Sequence, residues 1–269
     1  MKKLIAFDQD DTINITKLPL DNEMSELLSQ LMDKFKVCII SGTNWEVMKK
    51  NDIDTLLGLE HPSNFENYYF MPTTGTQYWH YLGEKASEQT DKVNQDGWVR
   101  EYAHFLTEDQ ANKIMESLEK AAKNLGYWCA NPAGEIIENR GSQITFSALG
   151  QWATPEDKHA WDPDMTKRRE IVELVKPELG DMPVDVVAGG STSVDIMLTG
   201  VDKAYGMKQL MEQLDLSKED ILFIGDNLKV GGNDYPVKAF GIDTIQVRNC
   251  EDTKWILKGI ISTFGEIEE

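Results

Sequence analysis

The chain has 269 residues, of which 41% are hydrophobic and 27% are charged, a composition typical of globular proteins with a buried core. The formal net charge of −19 disfavours nucleic acid and anionic membrane surfaces as partners. The apolar run after Lys2 is too short for a signal peptide, and no stretch reaches the length of a transmembrane helix. The three cysteines, Cys38, Cys129 and Cys250, are far apart in the sequence. Together these features predict a reduced, cytoplasmic protein without a membrane partner.

The first predicted strand, residues 4–7, is short and fully apolar, as buried strands of parallel sheets are. Asp8, Asp10 and Asp11 follow it closely. In an open α/β sheet, ligands bind beyond the carboxyl ends of the strands, and carboxylates crowded there repel one another unless a cation binds. Oxygen ligands suit a hard cation such as Mg²⁺. The stretch therefore predicts a magnesium site with an aspartate able to attack a substrate, whereas a solvated acidic turn is the structural alternative.

Strands and helices alternate along the rest of the chain. A helix is predicted over residues 21–34, with Asp21 as its N-cap, and an apolar strand over 37–40 follows. A strand, a helix and a strand in this order predict a right-handed crossover in a parallel sheet. Further helices are predicted to begin at 44 and 107 and to span 163–175, 203–214 and 252–263, and further strands to span 68–71, 78–82, 127–130, 136–139, 143–146, 184–187, 193–198, 221–224 and 244–247.

The character of the sequence changes in its middle third, where helices lie next to short strands with alternating, half-exposed patterns. We therefore predict an α/β fold in which residues 1–83 and 191–269 form a Rossmann-like core with a parallel sheet. Residues 84–190 are predicted to form an inserted α+β cap domain with one sheet face partly open.

Polar side chains follow several of the predicted strands and one helix start. Each has a structural alternative, because a lysine at a helix start is usually solvated and an acidic, glycine-rich stretch is often only a turn. Together they supply what phosphoryl transfer requires: a nucleophile, a second carboxyl group to move the proton, and cations around the phosphoryl oxygens. The residues are Asp8 with Asp10, Ser41, Lys203, and Asp226 with Asp234.

Four motifs contain these residues: Asp8-x-Asp10-x-Thr12, Ser41, Lys203, and Gly225-Asp226 with Asn233-Asp234. In this order they resemble the motifs of the haloacid dehalogenase (HAD) superfamily of phosphotransferases. Asp11 departs from the glycine that many members have at its position. The insertion between the second and third motifs resembles the subclass with a large α/β cap (subclass IIB, C2B-type cap).

Within that subclass the sequence is similar to the eukaryotic-type phosphomannomutase family. The similar stretches are residues 140–150, 193–195, 200–203 and 225–234. The resemblance implies that one aspartate, Asp8, is the nucleophile and forms an aspartyl-phosphate.

The resemblance also implies roles for the other motif residues. Asp10 would protonate the leaving oxygen and then deprotonate the attacking water. Mg²⁺ would be held by Asp8, by the backbone carbonyl of Asp10 and by Asp226, while Ser41 and Lys203 hold the transferring phosphoryl group. The implied supporting residues are Thr12, Asn233 and Asp234, and the implied substrate-binding residues are Lys17, Thr43, Arg140, Ser193 and Asp195.

The predicted cap departs from the family in its arginines. The mutases of the family clamp the distal phosphate of the sugar with several cap arginines, whereas here only Arg140 matches, Gln151 replaces a second, and residues 129–132 contain none. We therefore expect a Mg²⁺-dependent phosphatase that hydrolyses a small phosphomonoester, a sugar phosphate or similar metabolite. A phosphomannomutase-type isomerase and a non-catalytic phosphosugar-binding module are the alternatives. The sequence leaves open whether the chain is a monomer or a cap-mediated homodimer.

Overall fold

The computed structural model describes residues 1–263, which fold into two compact units, each with its own sheet. The first unit consists of Met1–Ala103 and the return segment that begins at Val201, and the second consists of His104–Gly200. Within residues 1–263, no helix is both long and apolar enough to cross a membrane. In chain order the strands are β1 (Leu4–Asp8), β2 (Lys36–Ile40), β3 (Tyr68–Met71), β4 (Gln77–Tyr81), β5 (Val93–Gln95), β6 (Trp98–Ala103), β7 (Ile137–Asn139), β8 (Gln143–Ser147), β9 (Val184–Gly189), β10 (Ser193–Leu198), β11 (Ile221–Gly225) and β12 (Asp243–Gln246).

The helices range from single turns to long amphipathic segments. In chain order they are α1 (Asn22–Met32), α2 (Trp45–Met48), α3 (Asp54–Leu56), α4 (Pro72–Gly75), α5 (Glu108–Asn124), α6 (Pro155–Trp161), α7 (Thr166–Leu179), α8 (Lys203–Leu214), α9 (Tyr235–Phe240) and α10 (Cys250–Ser262). A π-helical turn, Lys49–Ile53, joins α2 to α3 without interruption. Short 3₁₀ turns cover Phe65–Asn67, Gly83–Glu88 and Lys218–Asp220.

The first unit is built on an eight-stranded sheet in the order β12-β11-β1-β2-β3-β4-β6-β5. The strands from β12 to β3 are parallel, and β4, β6 and β5 extend the sheet with antiparallel pairs. β1 is buried at every residue and β2 at every residue but its first, as expected for apolar strands that are covered on both faces. The structure confirms the predicted α/β core with a mostly parallel sheet.

Helices cover both faces of this sheet. α1 and α10 pack together, and Leu28 and Leu257 join one apolar cluster, while Met207 of α8 joins the cluster on the opposite face. Each such buried side chain contributes about 1.5–3 kcal/mol to the free energy of folding. Asp21 is the N-cap of α1, as predicted, and its carboxylate accepts a hydrogen bond from the Met24 backbone N–H at 2.8 Å.

The second unit has an antiparallel sheet in the order β7-β8-β10-β9. α5 and α7 pack against each other and share an apolar cluster with the inward-facing residues of the sheet, among them Ile144, Phe146, Val194 and Ile196. α5 begins at a capping box formed by Thr107. The predicted α+β cap is therefore confirmed in its architecture.

The two units meet in sequence at 103/104 and 200/201, whereas the sequence placed the cap at residues 84–190. The first difference arises because β5 and β6 pair with the core sheet through β4. The second arises because β10 lies between β8 and β9 and so belongs to the cap sheet.

One predicted strand is wrong. Residues 127–130 form no strand, because the Tyr127 N–H bonds the last turn of α5 and Trp128 packs through its side chain rather than through backbone pairing. The helix predicted over 163–175 is present as α7, which begins at Thr166 and ends at Leu179, after Met165 with its left-handed φ of 64°. The short helix α6 that precedes it was not predicted.

Candidate active site

Three neighbouring parallel strands bring their carboxyl ends to one edge of the core sheet. β1 lies between β2 and β11, and its last residue, Asp8, is in register with Ile40 at the end of β2. Ser41 follows β2 and Asp226 follows β11 directly. The parallel topology alone therefore places Asp8, Ser41 and Asp226 near one another.

Lys203 is the first residue of α8 and is almost fully buried. Its ammonium group donates to Asp8 Oδ1 and to Asp234 Oδ1, the latter at 2.6 Å. Asp234 is itself buried, and its other oxygen accepts from the Asn227 backbone N–H at 3.0 Å. Only glycine fits at position 225, because a Cβ there would lie 2.4 Å from Asp234 Oδ2. Two carboxylates from distant parts of the chain thus share one buried lysine.

A cluster of three carboxylates surrounds this lysine. One oxygen from each of Asp8, Asp226 and Asp234 lies within 4.8 Å of the others. Burial raises the pKa of Asp8 to about 8, against the opposing effect of Lys203 and with the support of the two other carboxylates. Burial also raises the pKa of Asp226. Oxygen donors that are crowded and short of positive charge fit a hard divalent cation.

Two predicted metal ligands and one predicted supporting residue lie in this cluster. The structure brings the predicted metal ligands Asp8 and Asp226 together. It also makes Asp234, predicted in a supporting role, a full member of the carboxylate cluster. Asn233, the other supporting residue predicted in this loop, is exposed.

The loop after β1 orients Asp10 through the backbone. Asp10 Oδ1 accepts a hydrogen bond from the Lys17 N–H at 2.8 Å, so Lys17 touches the site by its main chain. Asp11 has a left-handed φ of 60°, a conformation that glycine adopts readily and that aspartate tolerates. Thr12 is fully buried, and its hydroxyl finds no hydrogen-bond partner within residues 1–263. Its backbone N–H donates to the Gln9 carbonyl at 3.2 Å.

The loop after β2 leads into the N-terminus of α2 and is also held by backbone hydrogen bonds from residues 73 and 74. Ser41 is buried, and its Oγ accepts from the Thr43 N–H at 3.1 Å, while Asn44 is the N-cap of α2. The N–H groups of Thr74 and Thr73 donate to the carbonyls of Ser41 and Thr43 at 2.8 and 2.9 Å. Thr73 and Thr74 both have positive φ, which is strained for β-branched residues. The sequence did not predict this support for Ser41.

The cap sheet has a polar face opposite its apolar one. Asp195 Oδ1 accepts from Thr145 Oγ1 at 2.7 Å and from Gln143 Nε2 at 2.9 Å, and Ser193 lies opposite Ser147 in the register. Successive residues of a strand face opposite sides, so these five side chains share a face. The sequence identified Ser193 and Asp195 and missed Gln143 and Thr145, although the alternating pattern of β8 was visible.

A second polar group of the cap is centred on Glu138. Arg140 Nη2 donates to Glu138 Oε2 at 3.0 Å, and the side-chain NH₂ of Gln151 lies 2.8 Å from Glu138 Oε1. Lys158, on α6, donates to the Gln151 carbonyl at 2.9 Å. The sequence noted the missing arginine at 151 and did not predict that a lysine lies beside it.

Comparisons with known proteins agree with this architecture. The family described as eukaryotic phosphomannomutase matches residues 24–263. A phosphomannomutase of Encephalitozoon cuniculi is 23% identical over 256 residues, which cover 94% of this chain and 91% of the relative. A phosphomannomutase of Saccharomyces cerevisiae is 26% identical over 237 residues, which cover 87% and 84%.

A solved structure is similar over nearly the whole chain. The N-terminally truncated IMP-nucleotidase of Plasmodium falciparum superposes with a TM-score of 0.63 at 20% identity, over 96% of this chain and 70% of that one. At this identity the similarity shows the fold alone. The fold and the family match together confirm the resemblance that the four motifs indicated.

Proposed function

The chain belongs to the eukaryotic phosphomannomutase family of the HAD superfamily, and from this premise we propose that it is an isomerase that moves a phosphoryl group between two positions of a hexose phosphate. The observation that carries the proposal is the extent of the family match, which spans the whole cap and most of the core. The sequence favoured a phosphatase and kept the isomerase as an alternative. The named relatives support the alternative better.

The core residues have the groups that such a transfer requires. The Asp8 carboxylate attacks the phosphorus of a phosphorylated sugar, and a new P–O bond to Asp8 forms as the ester bond to the sugar oxygen breaks. Asp10 donates a proton to that leaving oxygen and later accepts one from the sugar hydroxyl that attacks the aspartyl-phosphate. Lys203 and Ser41 bind the phosphoryl oxygens while the group is transferred.

The carboxylate cluster fits Mg²⁺ because its donors are all oxygen and lack balancing charge. In this proposal Asp8, Asp226 and the backbone carbonyl of Asp10 would hold the ion, and Asp234 would support its water ligands and Lys203. When bound, the ion neutralises charge on the transferring phosphoryl group. Asp8 must be ionised to attack, and positive charge beside it favours that form over the protonated one.

The cap supplies recognition in this proposal. An isomerase must hold a sugar bisphosphate by its second phosphate while the sugar turns round. Arg140 and Lys158 provide two cations for that phosphate, linked through Glu138 and Gln151. Asp195 and Ser193, on the polar face of the cap sheet, are assigned to the sugar hydroxyls.

A phosphomonoester phosphatase is the second candidate, and one observation favours it. Glu138 already pairs with Arg140, and residue 151 is an uncharged glutamine, so the cap offers a distal phosphate less charge than several arginines would. A phosphatase does not need to bind a distal phosphate, because it only releases the sugar and admits water.

The test is to incubate the protein with mannose 1-phosphate and Mg²⁺, with and without a hexose bisphosphate, and to follow the products by ³¹P NMR. Isomerisation to the 6-phosphate that the bisphosphate stimulates supports the proposal. Free phosphate without isomerisation, across a panel of hexose phosphates, overturns it in favour of the phosphatase. A phosphorylated protein that accumulates without turnover overturns it in favour of a binding module.

A further inference from the structure

The loop that carries Asp8 and Asp10 is tied to the π-helical turn Lys49–Ile53. Gln9, between the two aspartates, is almost fully buried, and its Nε2 donates to Asp52 Oδ2 at 2.9 Å. Asp52 is fully buried. Gln9 is the first residue after β1, so this bond fixes the start of the loop. Asp52 therefore holds the loop between the two aspartates.

Gln9 also accepts the backbone hydrogen bonds that form the turn after it. Its backbone carbonyl accepts hydrogen bonds from the N–H groups of Thr12 and Ile13 at 3.2 and 2.9 Å. A side chain that fixes Gln9 therefore fixes the direction in which the whole turn leaves the strand. Asp52 is the hydrogen-bond acceptor of the Gln9 side chain.

A second chain of hydrogen bonds runs from the same π-helical turn to Asp10. Asp10 Oδ1 accepts from the Lys17 N–H at 2.8 Å, and the carbonyl of that same Lys17 accepts from Asn51 Nδ2 at 3.3 Å. The Leu20 N–H donates to the Asn51 carbonyl at 3.0 Å. Lys17 has a left-handed φ of 64°, a conformation that needs outside support in a residue other than glycine.

We infer that Asn51 and Asp52 are positioning residues that hold Asp10 at the angle its proton transfers require, Asn51 through Lys17 and Asp52 through Gln9. This inference rests on the proposed function, in which Asp10 moves the proton. π-Helical turns are rare and frequently lie at functional sites. Here the turn places two consecutive polar side chains against one loop.

The pair of Asp52 and Gln9 is poorly built for stability alone. Asp52 Oδ1 and Gln9 Oε1 are buried and have no hydrogen-bond partner within residues 1–263. Buried oxygens without partners destabilise a fold. Burial raises the pKa of Asp52 well above its ordinary value, although the bond from Gln9 opposes the shift. Asparagine has the shape of Asp52 and keeps a side-chain oxygen that can accept from Gln9.

The experiment compares four variants in the isomerase assay. Asp52→Ala and Asn51→Ala should each lower kcat by about 10- to 100-fold with KM within about twofold, because the acid/base is misplaced while the substrate contacts remain. Asp52→Asn should restore kcat to within about threefold of the unmodified protein, since it still accepts from Gln9. Ile53→Val, a buried apolar change in the same turn, is the matched control and should lower the Tm without changing kcat.

The outcomes separate the inference from the proposed function. If Asp52→Ala and Asn51→Ala lower the Tm as Ile53→Val does and leave kcat unchanged, the two residues are structural and the inference is wrong. If Asp52→Ala does not fold, the kcat of Asn51→Ala decides alone, because the hydrogen bonds from Asn51 reach Asp10 through Lys17. The unmodified protein assayed beside them reports on the proposed function, which fails if that protein releases phosphate without isomerising the hexose phosphate.

Discussion

The carboxylate site of the core and the polar side chains of the cap differ in how far their charges are balanced by neighbouring groups. In the core, Asp8 and Asp234 share one buried lysine, and Asp226 adds a third carboxylate within 4.8 Å, so negative charge is in excess. In the cap, each of these groups has a local hydrogen-bond partner. Arg140 pairs with Glu138, and Asp195 accepts from two neutral side chains.

This contrast indicates what each unit contributes. Buried, uncompensated charge is costly in a folded protein and creates affinity for a cation and a reacting phosphoryl group. Half-buried groups with local partners are less costly to hold, and they can exchange those partners for substrate. Substitutions in the core site should therefore act on kcat, and substitutions on the cap face should act on KM.

The largest expected effect is that of Asp8→Asn. The amide keeps the shape and cannot form the aspartyl-phosphate, so kcat should fall by more than about 10⁴-fold. The measurement is the rate of product formation by ³¹P NMR, with circular dichroism to verify the fold. Activity near that of the unmodified protein would show that Asp8 is not the nucleophile. It would also contradict the expectation that substitutions in the core site act on kcat.

Asp10→Asn should have the next largest effect. Without an acid/base, both formation and breakdown of the aspartyl-phosphate should slow, and kcat should fall by about 10²- to 10⁴-fold. Rapid-quench measurement of each half-reaction checks this expectation. If only one half-reaction slows, Asp10 serves one proton transfer and another group serves the other.

Mg²⁺ binding should stabilise the core through the carboxylate cluster. At a concentration 100 times its Kd, the ion should add about 2.7 kcal/mol to the free energy of unfolding of the unmodified protein. Asp226→Asn should lose most of this gain, whereas Asp33→Asn, at an exposed carboxylate after α1, should keep it. Chemical denaturation with and without Mg²⁺ measures the difference, and an equal gain in all three proteins would place the ion elsewhere.

On the cap, Arg140→Ala should raise KM by about 10- to 100-fold and leave kcat within a few-fold, because a charge-assisted contact to the substrate is lost. Arg169→Ala is the matched control, since Arg169 is an exposed arginine of the same unit. Steady-state kinetics of the two variants decide the point. A fall in kcat at constant KM would show that the cap acts on the chemical step, contrary to the contrast drawn above.

The smallest effect is expected from charges that belong to neither site. The side chain of Arg248 hydrogen-bonds Asp252 and lowers the pKa of Asp252 to about 2, so the folded state releases this proton more readily than the unfolded state. Its contribution to stability is present above pH about 4 and is lost as the pH falls towards 2. Arg248→Ala should make the Tm slightly less sensitive to acid in that range and leave it almost unchanged at pH 7, because Arg248 is 84% exposed. A large loss of stability at pH 7 would contradict this expectation.

The core was predictable from sequence to the extent that strand order determined it. Parallel strands place their carboxyl ends at one edge, so residues following β1, β2 and β11 had to converge. The position of Lys203 at the start of α8 followed from its motif. The cap boundaries were less accessible, because β5 and β6 have the local pattern of a cap hairpin and join the core sheet only through pairing with β4.

The details that orient the site could not be predicted. The tie between Gln9 and Asp52 joins residues 43 positions apart, and nothing local marks either as a partner of the other. Likewise, Lys158 reaches Gln151 only because α6 begins after a turn capped by Thr154. The wrong strand at 127–130 has a related cause, because its aromatic composition favours a strand while its contacts are those of side chains packed on the cap core.

The most direct test of the account is to locate the phosphoryl group on the enzyme. The protein is mixed with a hexose bisphosphate and Mg²⁺, quenched in acid and digested, and the peptides are examined by mass spectrometry. The account predicts a phosphoryl adduct on the peptide that contains Asp8, absent from Asp8→Asn. An adduct on another residue, or product formation without any adduct during turnover, would contradict it.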